Sequence, residues 1–92
     1  MSEQALAAAV IQQAFEDLTA APPEKFNGNG QVTNAWSEWR ENKEEALLFL
    51  TSKRRDWMKS RDDWCAIAGF DSDKIVRAAQ RKINKETADE RI

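Results

Sequence analysis

The side chains here that could do chemistry are one thiol, Cys65, a set of carboxylates and a set of Lys and Arg; the chain has no His and no Tyr. General acid–base work would fall on carboxylates or Lys, and no pair of them stands in the apolar or glycine-rich context that tunes a pKa. Cys65 would need a base and an electropositive pocket to act as a nucleophile. Its place where two helices would cross favours a buried structural thiol instead. A lone Cys makes no internal disulfide and, without His, no zinc set. The "NGNG" at residues 27–30 lacks the Lys and Ser/Thr that follow a phosphate-binding glycine loop. Catalysis, a metal and a cofactor are therefore not expected, and the remaining chemistry is binding.

Binding by charge has one well-formed candidate. With residues spaced about 100° apart around a helix axis, Ile75, Val76, Ala79 and Ile83 share one face of the segment 73–88, and Lys74, Arg77, Arg81 and Lys85 line up on another, with Lys82 at its margin. A basic stripe opposite an apolar one is the footprint that a helix in a nucleic-acid groove requires, because cations must reach phosphates and base edges on one side. A second cluster, Lys53, Arg54 and Arg55, is the polar side of an upstream helix and could hold flanking phosphates.

The stretch "DDWCAIAGFDSDKIVRAAQRKI", residues 62 to 83, resembles the helix-turn-helix family of DNA-binding motifs over residues 61–80. A small residue, Cys65, precedes Gly69 by four, and Trp64, Ala68, Phe70, Ile75 and Ala78 fill the apolar positions of the pattern. The resemblance implies that the last helix enters the major groove and that its base-contacting positions are Asp71, Ser72, Asp73, Val76, Arg77 and Gln80. Ser72, Arg77 and Gln80 are ordinary readers, Arg toward guanine and Gln toward adenine. Asp71 and Asp73 are not; carboxylates at the tip would be repelled by phosphates unless they cap the helix or pair with Lys74 or Arg77. The longer run "RDWMKSRDDWCAIAGFDSDKIVRAA", with its "WC-x-x-AG-x-D-x-D" core, resembles small uncharacterised proteins of phages and prophages. That resemblance implies a bacterial host cytoplasm and lends no activity.

These segments require a helical frame. Few Gly and Pro, abundant Ala, Glu, Lys, Arg and Gln, and almost no alternating β-branched runs predict an all-α chain. Its 92 residues predict one domain (1–92), a bundle of four to five helices ending in a helix-turn-helix-like unit at 60–88. Ser2 caps a first helix reaching about Ala21, with Leu6, Val10, Ala14 and Leu18 facing the core, flanked by Ile11 and Phe15. Pro22 and Pro23 stop it, and residues 22–33 form a turn-rich connector. The helical core spans 34–92. Thr33 or Asn34 caps a helix at 35–51 whose buried side carries Trp36, Trp39, Ala46, Leu47 and Leu50, widened by Leu48 and Phe49. Ser52 opens a short helix to Lys59 with Trp57 and Met58 inward. Ser60 and Asp63, a capping-box variant, open the next helix, which Gly69 ends. Asp71 or Ser72 caps the last, from 73 to about 88.

Charge is uneven along the chain. Residues 1–33 carry about −3, residues 34–60 about +1 and residues 61–92 about 0, for a total of −2. Such a chain is a poor generic polyanion binder, so DNA binding must come from a local basic face. No apolar run approaches the roughly 18 residues of a membrane span, and the N-terminal stretch lacks the basic start of a signal peptide. A cytoplasmic protein is expected, without a membrane partner.

Two functions fit. In the first, the chain is a small DNA-binding protein, a transcriptional regulator or accessory factor of phage type. Arg77 and Gln80 would read bases, Lys74, Arg81, Lys82 and Lys85 would hold phosphates, Lys53, Arg54 and Arg55 would grip the flank, and a homodimer through the first helix would enlarge the contact. In the second, the same fold is a phage-type adaptor or inhibitor of a host protein, with Asp71 and Asp73 against a basic partner and Trp36 and Trp39 as anchors.

Overall fold

The structure is a computed structural model; it describes residues 2–90, with side chains through residue 86. Four helices, α1 (Glu3–Thr19), α2 (Asn34–Thr51), α3 (Arg55–Ala68) and α4 (Ser72–Glu90), form one all-helical bundle, and no strand occurs among the described residues.

Each helix boundary has a local cause. Ser2 Oγ accepts the Ala5 amide at 3.1 Å and starts α1. The helix stops at Thr19, two residues short of the expected Ala21, because Ala20 turns extended ahead of the two prolines. The connector is more ordered than a turn-rich loop: Asn27 Oδ1 accepts the amides of Asn29 (2.9 Å) and Gln31 (3.0 Å). Gly30 takes φ +77°, and Phe26 and Val32 pair in a single antiparallel bridge. Thr33 then caps α2, its Oγ1 accepting from the Trp36 amide at 3.2 Å.

The expected break at Ser60 does not occur. Residues 55–68 are one continuous helix, so the described residues form four helices and not five. Ser60 and Asp63 match a capping box in type, yet nothing turns the backbone extended there. The extended residue is Arg54, and Ser52 Oγ holds its amide at 3.1 Å. At the other end Gly69 adopts φ +79°, and the Phe70 amide reaches the Cys65 carbonyl at 2.8 Å. That is the left-handed glycine stop the sequence announces. Asp71 Oδ1 accepts the Asp73 amide at 2.9 Å and starts α4.

Two adjoining clusters make the core. Ala14, Leu18, Ala46, Leu50 and Ala79 join α1, α2 and α4; Ala7, Ile11, Cys65 and Ala68 join α1 to α3. The buried stripe of α1 is thus Ala7, Ile11, Ala14 and Leu18, rotated from the expected one: Leu6 is 51 % exposed and Val10 only half-buried. The rotation follows from α1 serving two neighbours, since small Ala7 lets Cys65 and Ala68 of α3 come close. Further along the chain, Leu47, Leu48 and Met58 are exposed, not turned inward, and Trp57 is half-buried. A bundle this small has too little interior for every apolar side chain.

Among the described residues, one charged side chain lies inside. Arg61, only 6 % exposed, donates through Nη1 to the carbonyls of Phe49 (3.2 Å) and Ser52 (3.0 Å). These belong to the C-terminal end of α2, where unpaired carbonyls and the helix dipole favour a cation. Its Nε is buried without a partner.

Candidate nucleic-acid interface

Helix α4 separates its faces as its periodicity demands. Ala79 is fully buried and Ile75 and Ile83 pack on the α1–α2 core, while Lys74, Arg77, Gln80, Arg81, Lys82 and Lys85 are exposed. Val76, assigned to the apolar face and also to a base-contacting position, is half-buried. At a rise of about 1.5 Å per residue, Lys74 to Lys85 covers roughly 16 Å of helix. Among the described residues no carboxylate lies within ion-pairing distance of Lys74, Arg77, Arg81 or Lys82. A row without ion-pair partners among the described residues presents its charge to an anion in solution.

The tip of the helix has the opposite sign. Asp71 is occupied as a cap for the Asp73 amide, and Ser72 donates its hydroxyl to Asp62 Oδ1 at 2.6 Å, tying the start of α4 back to α3. With Asp62 of α3 bonded to Ser72 and Asp71 and Asp73 at the turn, three carboxylates gather around the end of α4 that would lead into a groove. Ser72 is half-buried and already engaged, whereas Asp73 is exposed. Neither Asp71 nor Asp73 forms an ion pair with Lys74 or Arg77 among the described residues.

The second basic cluster stands at the far end of α3. Lys53, Arg54 and Arg55 are exposed, and Arg54 pairs with Asp56 at 3.3 Å, both side chains open to solvent. Helix α3 has 14 residues, which puts about 20 Å between this cluster and the turn at Gly69. Along that flank a depression is lined by Lys53, Arg55, Met58, Lys59, Asp62 and Asp63. The α3 flank is therefore positive at one end and negative at the other.

The two tryptophans offered as partner anchors sit at the rim of the bundle, half-buried, with ring centroids 6.0 Å apart. Trp39 Nε1 donates to the Ala20 carbonyl at 2.9 Å, pinning α2 to the end of α1. Cations cover the rings: Lys25 Nζ lies 4.6 Å from the Trp36 centroid and Lys43 Nζ 5.4 Å from that of Trp39. Their placement is that of a rim clamp closing the connector over α2, where simple core packing was expected.

Cys65, 1 % exposed, lies between α1 and α3. Burial pushes its thiol above the ordinary value; Arg61 opposes the rise, and Asp62 and Asp71 add to it. A thiol held protonated in this way is a poor nucleophile. No group of three or more Cys, Asp or Glu suited to a metal occurs among the described residues, and no described helix is long and apolar enough to cross a membrane. Of the positions that carry the helix-turn-helix resemblance, Cys65 and Ala68 are buried and Trp64, Ile75 and Ala78 half-buried, but Phe70 is 43 % exposed. Comparison with protein-family models, with curated proteins and with solved structures finds no match for the chain.

Sequence reasoning did not single out Arg61 or the furrow between α1 and α2. An Arg among polar neighbours reads as surface, and its burial becomes visible only once α2 ends against it. The furrow had a faint signal: α1 carries Glu3, Glu16 and Asp17 and no cation.

Proposed function

We propose that this chain is a small DNA-binding protein that holds the phosphate backbone through the outer face of α4, as a transcriptional regulator or accessory factor of phage type. The observation that carries the reading is the exposed row Lys74, Arg77, Arg81 and Lys82, which has no carboxylate partner among the described residues. Lys85 continues that row. Cations that neutralise phosphates release condensed counterions, and four or five of them supply most of a non-specific affinity. Arg77, on the basic face, and Gln80, beyond its margin beside Val76, are the residues that read bases; Lys53 and Arg55 add phosphate contacts at a distance. The three carboxylates around the tip, Asp62, Asp71 and Asp73, oppose end-on entry. The helix therefore engages side-on, through Lys74 to Lys85, and Ser72 serves the fold more than the contact. A homodimer would double this small surface.

The test is fluorescence anisotropy with a labelled pool of random-centre duplexes. Arg77→Ala with Arg81→Ala weakens binding by at least tenfold while leaving helicity by circular dichroism intact. Unchanged affinity in that variant would overturn the reading. Retention of one host protein through nuclease treatment, with no duplex bound, would support the adaptor alternative, in which Asp71 and Asp73 face a basic partner.

A further inference from the structure

We infer that the furrow between α1 and α2 is a docking site for a basic amphipathic helix of another protein, separate from the α4 face. Two depressions, of about 310 and 240 Å³, share Asp17 and Asn42 in their walls and so run into one another along the seam of the two helices. Val10, Ala14, Ala46 and Phe49 supply an apolar floor at one end, closed by Trp57; Ala20, Ala35 and Trp39 continue it at the other. From Ala35 to Phe49 the furrow follows about four turns of α2, or roughly 21 Å, enough for a partner helix of similar length.

Charge selects the occupant. Asp17, Glu38 and Glu45 line the furrow, and no Lys or Arg does. Glu38 and Glu45 form no ion pair among the described residues, and Asp17 accepts only the Gln13 amide, at 3.0 Å. The neighbouring cations are used elsewhere: Arg40 pairs with Glu44 at 3.1 Å and Lys43 with Glu86 at 3.7 Å. Glu38 and Glu45 stand two turns apart on one flank of α2 with Asp17 across from them. Lys or Arg at two-turn spacing would meet them while Leu or Met between fills the floor, the helix-in-groove mode of recognition. Phosphate-bearing ligands are repelled by the same carboxylates. A second copy of this chain is a poor fit, since its basic helix, α4, turns its apolar residues into its own core.

The furrow and α4 lie on different flanks of α2, so the two proposals fail independently. The probe is a labelled 14-residue synthetic helix of Leu and Lys with Leu at helical spacing, compared with its Leu and Glu counterpart. The expected result is saturable anisotropy binding of the Lys helix and none of the Glu helix. Asp17→Asn with Glu38→Gln and Glu45→Gln should weaken binding roughly tenfold, as three exposed ion pairs would. Gln13→Lys, at an exposed furrow position, should weaken it in the same direction without any burden on folding. No saturable binding of the Lys helix, or equal binding by native and neutralised proteins, would overturn the assignment. So would a concentration-dependent dimer in sedimentation that the neutralised variant loses, because a second copy would then be the occupant.

Discussion

Replacing Arg61 by Met tests whether a buried cation closes the C-terminal end of α2. Met keeps the aliphatic stem and removes the guanidinium, so the Phe49 and Ser52 carbonyls lose the donor now 3.2 and 3.0 Å away. Hydrogen bonds to a charged group contribute about 1.5–3 kcal/mol each, and two of them from the single Nη1 nitrogen, at the low end of that range, about 3 kcal/mol together. Relief of the orphaned Nε and of a desolvated charge offsets about 1 kcal/mol of that. The net expectation is a loss of about 2 kcal/mol for Arg61→Met, and about 3 kcal/mol for Arg61→Ala, which also gives up the packing of the stem. A domain of this length is stable by roughly 5–14 kcal/mol. With a urea slope near 1 kcal/mol/M, Arg61→Met should lower the midpoint by about 2 M. Buried charges are sometimes replaced by apolar groups without loss. If Arg61→Met proves as stable as the native chain, water satisfies those carbonyls and the capping argument is wrong.

Other outcomes follow from the same geometry. Asp71→Ser keeps an oxygen for the Asp73 amide and removes a tip charge, so stability should stay within about 0.5 kcal/mol while duplex affinity rises; Asp71→Ala should cost about 1 kcal/mol by thermal melting. Gly69→Ala must hold a side chain at φ +79° with its Cβ 3.4 Å from Gln4 Nε2, and should destabilise by about 1 kcal/mol in urea titration. Cys65 should resist a thiol reagent near neutral pH at the rate of local opening. Because its folded pKa lies above the ordinary value, the unfolded chain loses the proton first as pH rises. The thiol's contribution is therefore present below about pH 8.5 and lost above it, a decline that Cys65→Ala should abolish in melts run from pH 7 to 10.

Much of this fold was legible because its signals are local. Ser2 and Thr33 cap as their side chains predict, Gly69 stops α3, and the two stripes of α4 emerge from spacing alone. The misreadings have a common origin in tertiary choice. Ser60 and Asp63 have the residue types of a capping box, but a cap needs an extended backbone, and the packing of Arg61 and Cys65 on one helix keeps residues 55–68 continuous. The sector of α1 that is buried depends on α3 as well as α2, so Leu6 lost its place to Ala7. Trp36 and Trp39 have the size of core residues, yet the connector brings Lys25 over one ring and carries the pair to the rim. At the α4 face the cations were readable from the sequence. Asp71 caps α4 as its side chain predicts; that Ser72 is tied back to α3 was not readable, because its partner Asp62 lies ten residues away.

The role of α4 is most directly tested by the salt dependence of duplex binding. With four to five phosphates neutralised by Lys74, Arg77, Arg81, Lys82 and Lys85, the logarithm of the association constant should fall against the logarithm of salt with a slope of about −4. Arg77→Ala with Arg81→Ala should bring it to about −2. A slope near zero, or one that these substitutions leave unchanged, would contradict the account.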